Sequence, residues 1–354
     1  MTATTLIVTG AGGVGKTTVS AAVGVHAARS GTRTLVLTID PARRLADALG
    51  IATLGNDPSP VADQPGLWAA MLDVTASWEA ILDRHTEPAI AARLRENPFF
   101  RAIADRFPAA QSYAAGEQLA DYLEAGAWEL IVVDTPPAAG GIDFFAAPSR
   151  MSELVGGRVL RFLTGAGLPG RRALYRFTAR PMFRVADAVL GGPLLEDLAE
   201  FLLDLRTLYD GLAMRAATIE RYLAGSRIVV VTTAQPSALR EASRFFEELP
   251  DLITRPAGVV FNRLLPEAWV DVKPRLPVNG VPPAAAAELR DNLRNWSAEA
   301  HRQDDARQEL SAQYRTPTAS IPWNDRAPTT LDALDRLIVD GSNVREILGL
   351  VEPT

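Results

Sequence analysis

A chain of 354 residues with 47% hydrophobic content is long and apolar enough to bury a large core. Its net charge of −6 argues against general affinity for nucleic acid, because neutralising phosphates needs a basic surface. The absence of cysteine excludes disulfides, thiolate metal sites and thiol catalysis together. His26, His85 and His301 are too far apart in sequence to read as a metal cluster. No basic leader precedes the first apolar strand, and no apolar run approaches the roughly 18 residues a membrane span needs, which reads as a cytoplasmic protein. Nearly all the positive charge is arginine, Lys16 and Lys273 being the only lysines, and this singles out Lys16.

In chain order, residues 4–9 predict a strand, a glycine-rich turn follows, residues 19–30 predict a helix and residues 34–39 a second strand, together a βαβ unit. Short apolar runs at 67–72, 130–133, 228–232, 258–261 and 319–321 have the length and β-branched character of buried parallel strands. Because they span the whole chain, the expectation is a single α/β domain over residues 1–354, with a doubly wound, mostly parallel sheet. Helical insertions are expected at about 77–125 and 151–223.

In the second insertion Leu194, Leu198, Phe201, Leu205, Leu208 and Leu212 follow Pro193 at alternating four- and three-residue steps, predicting a long amphipathic helix. Its apolar stripe reads as core or as a groove for a client. Between Arg150 and Arg184 eight arginines face the single acid Glu153, interleaved with Leu160, Phe162, Phe177 and Phe183. That stretch reads either as a solvated rim or as a peripheral contact to anionic lipid or an acidic partner. The polar run 290–315 predicts a solvated helix.

The run Gly10-Ala11-Gly12-Gly13-Val14-Gly15-Lys16-Thr17 matches G-x-x-x-x-G-K-[ST] between a strand and a helix, the context such a phosphate-binding loop requires. Gly10, Gly12, Gly13, Val14 and Gly15 let backbone N–H groups turn toward phosphate oxygens. Lys16 reaches the β and γ phosphates of ATP, Thr17 offers a hydroxyl to Mg²⁺, and Thr18 follows in the first helical turn. The apolar strand ending Ile131-Val-Val-Asp134 places an acid where it can hold a magnesium-bound water. A second acid, Asp40, ends the strand 34–39, which is expected beside the P-loop strand.

The loop, the run Thr38-Ile-Asp40-Pro-Ala-Arg-Arg-Leu-Ala-Asp-Ala-Leu49 and Asp134-Thr-Pro-Pro137 together resemble the P-loop family of the arsenite-pump ATPase (ArsA) and the ATPase for guided entry of tail-anchored proteins. The resemblance covers most of the chain and implies the SIMIBI type of P-loop fold, a dimer, and ATP with Mg²⁺ as ligands. It implies that Asp40 positions or activates the attacking water, that Asp134 belongs to the second switch, and that Asn262 and Pro322 lie on the adenine side.

Three departures qualify these expectations. The family's loop begins Gly-Lys-Gly-Gly, its first lysine crossing to the partner's phosphates, and here that residue is Ala11. The cysteines that capture arsenite or clasp zinc are absent, so no arsenite site is expected. The second switch continues Ala-Ala-Gly-Gly-Ile-Asp143 in place of the pattern of the targeting ATPases. The departures resemble an actinobacterial branch labelled anion-transporting ATPase, whose members often occur as neighbouring pairs, one with the signature lysine and one without.

The expected protein is therefore an ATPase subunit, slow in isolation, working as a homodimer or as a heterodimer with a lysine-bearing paralogue. Its setting would be the inner face of the membrane, in uptake or envelope physiology. Arg43 or Arg44 is the alternative source of the missing charge. An ATP-driven chaperone for membrane-protein clients is the second reading, and a ParA- or MinD-like positioning ATPase the third.

Overall fold

The computed structural model describes residues 3–106, 108–136, 139–156, 201, 203–270 and 282–350. Spatial contacts divide the chain into two compact units, one within residues 1–71, 126–142 and 226–354 and the other within 72–125 and 143–225. Most of the second expected insertion, residues 157–200, lies outside the described residues.

The first unit is built on eight strands: β1 (Thr4–Gly10), β2 (Thr34–Thr38), β3 (Ser59–Pro60), β4 (Leu67–Met71), β5 (Leu130–Asp134), β6 (Arg227–Thr232), β7 (Gly258–Leu264) and β8 (Thr318–Pro322). They lie in the order β3-β4-β2-β5-β1-β6-β7-β8. Every pairing is parallel except that of the two-residue β3 with β4. The interior strands are apolar almost throughout because helices cover both faces of a parallel sheet, leaving no side for polar alternation. Leu130 to Asp134 of β5 are buried along their whole length.

The expectation that β2 adjoins the P-loop strand is not met. β5 lies between them, its residues pairing Thr4 to Val8 on one side and Thr34 to Thr38 on the other. The reason is that β5, apolar at every position before its terminal acid, finds its most complete burial in the middle of the sheet. The C-terminal ends of β1, β5 and β2 thereby converge.

Helix α1 (Lys16–Arg29) follows β1 directly. Alternate strand residues, among them Leu6, Val8, Val36, Val132, Val231, Val260 and Ile321, join α1 in one apolar cluster with the C-terminal helices that end the chain. Outside that cluster His26 pairs with Asp335 at 2.8 Å, and Arg29 with Asp335 at 3.1 Å and with Asp332. The expected polar helix at 290–315 is longer than predicted, running from Pro283 to Tyr314.

The second unit is helical, with α3 (Val74–His85), α4 (Pro88–Glu96), α5 (Pro98–Arg106), α6 (Pro108–Ala125), α7 (Ala139–Gly156, its first turn in the first unit) and α8 (Tyr209–Ala224), the short α2 (Arg44–Leu49) belonging to the sheet unit. The long leucine helix is interrupted. A 3₁₀ turn over Arg206–Leu208 separates the helical residues before it from α8. Phe201, Leu208 and Leu212 are buried, so these positions of the stripe are core. Leu194 and Leu198 lie outside the described residues, as do Arg158 to Arg184 of the basic stretch. Arg150 pairs with Asp143 on its own helix.

Three helices of this unit are joined through Glu117 on α6, a carboxylate only 2% exposed. It accepts from Tyr113 Oη at 2.8 Å, from Arg215 Nε on α8 at 2.6 Å and from Arg84 Nη1 on α3 at 3.2 Å. Burial first, then the Glu117 charge, raises the Tyr113 hydroxyl well above its ordinary range, so it stays a neutral donor. Replacing Glu117 by Leu strands the Arg215 guanidinium with only Asp121 and Glu124. The expected loss is about 3 kcal/mol, read by urea unfolding.

Candidate functional site

The site is assembled where β1 ends and α1 begins. Gly10, with φ of 145°, lies so close to β6 that a Cβ there would stand 2.1 Å from the Val231 carbonyl oxygen, which leaves glycine as the residue that fits. Gly15 has φ of 96° and caps α1 in a left-handed conformation. A Cβ on Gly15 would meet Asn262 Nδ2 at 2.3 Å. Gly12 and Gly13 form the exposed apex of the loop, Val14 and Ala11 are buried beneath it, and Thr17 and Thr18 are half-buried in the first turn of α1.

Lys16 is buried, and its ammonium donates to the Ala11 carbonyl at 2.9 Å, folded back over its own loop. Desolvation lowers its pKa, while the charges of Asp134 and Asp40 act against that fall and Arg44 adds to it. One lysine, two carboxylates and one guanidinium thus form a single electrostatic group.

Asp134 is fully buried at the end of β5. Its Oδ2 accepts from Thr17 Oγ1 at 2.7 Å and from Thr38 Oγ1 at 3.0 Å, and its Oδ1 lies 3.5 Å from Ser20 Oγ. The convergence of β1, β5 and β2 makes this possible, since Val8 and Thr38 are its register partners on either side. Burial pushes its pKa up to about 6, against the hydrogen bonds from Thr17 and Thr38 and the charge of Lys16. Sequence reasoning gave Thr38 and Ser20 no role; a threonine closing the strand before Asp40 was the available signal.

Asp40 follows β2 and is less enclosed, its side chain 18% exposed. Oδ1 accepts from the Ala42 backbone N–H at 2.9 Å, and Oδ2 lies 3.4 Å from Arg44 Nη1. Asn262, expected on the adenine side, is buried on β7 and donates its Nδ2 to the Val14 carbonyl at 2.8 Å, so the structure gives it a tether to the P-loop. Beyond it the β7–β8 register shifts between Asn262 and Leu264, with Arg263 in the left-handed region at φ of 61°. Pro322, half-buried, closes β8 opposite Leu264. The structure thus brings Lys16, Thr17, Asp40 and Asp134 into one group and sets Asn262 against the loop.

This fold and this loop define a P-loop nucleotide-binding protein of the parallel, doubly wound class. The family described as anion-transporting ATPase, ArsA, matches residues 3–276, and the chain belongs to it. An uncharacterized protein of Streptomyces coelicolor is 31% identical over 95% of this chain and 81% of its own length. The arsenical pump-driving ATPase of Acidiphilium multivorum is 26% identical over 74% of this chain, which spans only 40% of that protein. ATPase GET3 of Malassezia globosa is 23% identical over 72% of this chain and 71% of its own length. Among the described residues no helix is long and apolar enough to cross a membrane, and no cluster of three or more histidine, aspartate or glutamate side chains is set to hold a metal.

The raised pKa of Asp134 has a consequence for stability. Its folded value of about 6 exceeds the ordinary 3.8, so between those values the folded protein keeps a proton that the unfolded chain has released. Stability of the nucleotide-free protein therefore falls as pH rises through that window and stays lowered above it. Asp134→Asn should be more stable than wild type at pH 8 by roughly 1–3 kcal/mol, the gain vanishing below about pH 4 in urea unfolding.

Proposed function

We propose that this chain binds ATP with Mg²⁺ at the Gly10–Thr17 loop and hydrolyses it, as one subunit of a dimer. The observation that carries the reading is the Thr17–Asp134–Thr38 linkage beside the buried Lys16. The ligand set is all oxygen, as a hard cation requires, and a cation there would offset the cost of an ionised Asp134 in so buried a place. Thr17, directly, and Asp134, through water, would hold Mg²⁺, which supplies neutralising charge to the phosphates when bound.

The chain's own groups account for the rest. Backbone N–H groups of Gly10 to Gly15 and the start of α1 face anionic oxygens. Lys16 exchanges the Ala11 carbonyl for the phosphates, and Asp40 orients the attacking water. Asn262 holds the loop shape through Val14, leaving its other N–H and its oxygen for the base, with Pro322 on the same side.

The dimer is a homodimer or a pair with a lysine-bearing homologue, and a role in uptake or envelope physiology at the membrane follows the branch this chain resembles. The burial of Phe201, Leu208 and Leu212 favours that reading over a client-binding chaperone, since those side chains are already packed. Without cysteine the chain has no thiolate route to arsenite.

Lys16→Ala should abolish ATP binding in calorimetric titration, and affinity equal to wild type would sink the P-loop assignment. Asp40→Asn should bind ATP nearly as well as wild type yet hydrolyse it about 10²-fold more slowly or worse, as expected when water positioning is lost. An unchanged steady-state rate would remove Asp40 from the mechanism.

A further inference from the structure

The P-loop supplies one cationic side chain, Lys16. Charge developing on a transferring phosphoryl group is ordinarily met by more than one cation, and residues 11 and 14 of the loop are Ala and Val. A second cation stands at the same end of the sheet: Arg44 Nη1 lies 3.4 Å from Asp40 Oδ2.

Stability does not explain Arg44. Its side chain is 65% exposed, and an exposed ion pair of that length adds little to a fold. It also opens helix α2, the end at which backbone N–H groups favour an anion over a cation. Arg43 differs. Its Nη2 donates to the Ala52 carbonyl at 2.5 Å, so that guanidinium anchors the segment after α2. Of the two adjacent arginines, one is engaged by the backbone and the other rests on the acid proposed to handle the attacking water.

We propose that Arg44 is a catalytic arginine acting on the ATP bound by its own chain: it leaves Asp40 for the γ-phosphoryl group, and its departure frees Asp40 Oδ2 for the attacking water. The inference rests on the ATPase reading above and deepens it. The water oxygen bonds to the γ-phosphorus while the bond from that phosphorus to the bridging oxygen of ADP breaks, its electron pair leaving on ADP. The water's proton passes to Asp40 and from there to the released phosphate. The planar guanidinium matches two equatorial oxygens at once, a geometry an ammonium cannot reproduce. Before nucleotide binds, the Arg44–Asp40 pair keeps the base occupied, so the same contact restrains the site when empty and is exchanged when it fills. The isolated chain then needs no lysine from another subunit.

The test compares full-length wild type, Arg44→Ala, Arg44→Lys and Arg43→Ala. It reads kcat, ATP affinity with Mg²⁺, and trapping of ADP with aluminium fluoride, which imitates the transferring phosphoryl group. Arg44→Ala should lose about 10³-fold or more in kcat together with trapping, keep ATP affinity close to wild type, and unfold at an unchanged temperature. Arg44→Lys should recover part of the rate, and Arg43→Ala should retain it. A mixture of Arg44→Ala with Lys16→Ala should stay as slow as Arg44→Ala alone, because each bound nucleotide would lack its arginine.

Wild-type rate and trapping in Arg44→Ala would overturn the proposal, as would an equal loss of ATP affinity and rate, which marks a ground-state contact. Recovery in the mixture would overturn action within one chain. A wild type that binds ATP yet neither turns it over nor traps the analogue would also overturn it. Failure of wild type to bind ATP at all would instead remove the ATPase reading on which the proposal stands.

Discussion

One buried carboxylate organises the nucleotide-binding end of this protein. Asp134 has no exposure to solvent, yet it sits among the hydroxyls of Thr17, Thr38 and, at the limit of hydrogen-bonding distance, Ser20. A charge in such a place is tolerated only when donors surround it, and these donors come from α1 and β2. The sheet order that inserts β5 between β1 and β2 is what brings them together. Moving β5 to an edge would leave the same residues in the chain and dissolve the site.

The loop is shaped by close approaches as much as by charge. Gly10 is pressed against β6, Gly15 against Asn262, and Lys16 lies folded on the Ala11 carbonyl. Asn262 connects the far side of the sheet to the loop through Val14, so β7 helps to set the conformation of a segment that follows β1. Ala11 is buried in this chain, and its methyl group contributes to the apolar cluster below the loop. Burial and neighbouring charges shift the ionisation of Lys16 and Asp134, and shifted groups of this kind concentrate at functional sites. Membership of the ArsA family accords with that chemistry.

The helical unit is held by different physics. Its core is aromatic and aliphatic, with Trp78 packing against Phe100 and Tyr113, and the deeply buried acid Glu117 is matched by two arginines and a tyrosine. The seven-residue rhythm of the leucines was visible in the sequence. The 3₁₀ turn at Arg206–Leu208 was not, because a change of hydrogen bonding from one turn to the next leaves the apolar spacing almost intact.

The sequence by itself determined the local features: the phosphate loop between a strand and a helix, the apolar runs that became β1, β2 and β4 to β8, and the acids closing β5 and following β2. Each rests on spacing within a few residues, where periodicity and the conformational freedom of glycine act directly. Tertiary structure decided which strands lie side by side, hence that Thr38 and Thr17 share one carboxylate, and that Asn262 meets Val14 across 248 residues of chain. It also separated Arg43 from Arg44, neighbours in the chain that reach different partners. Such contacts depend on strand order and on side-chain direction at the ends of strands and helices. No local pattern encodes them, because the groups that meet are far apart in sequence until the sheet is complete.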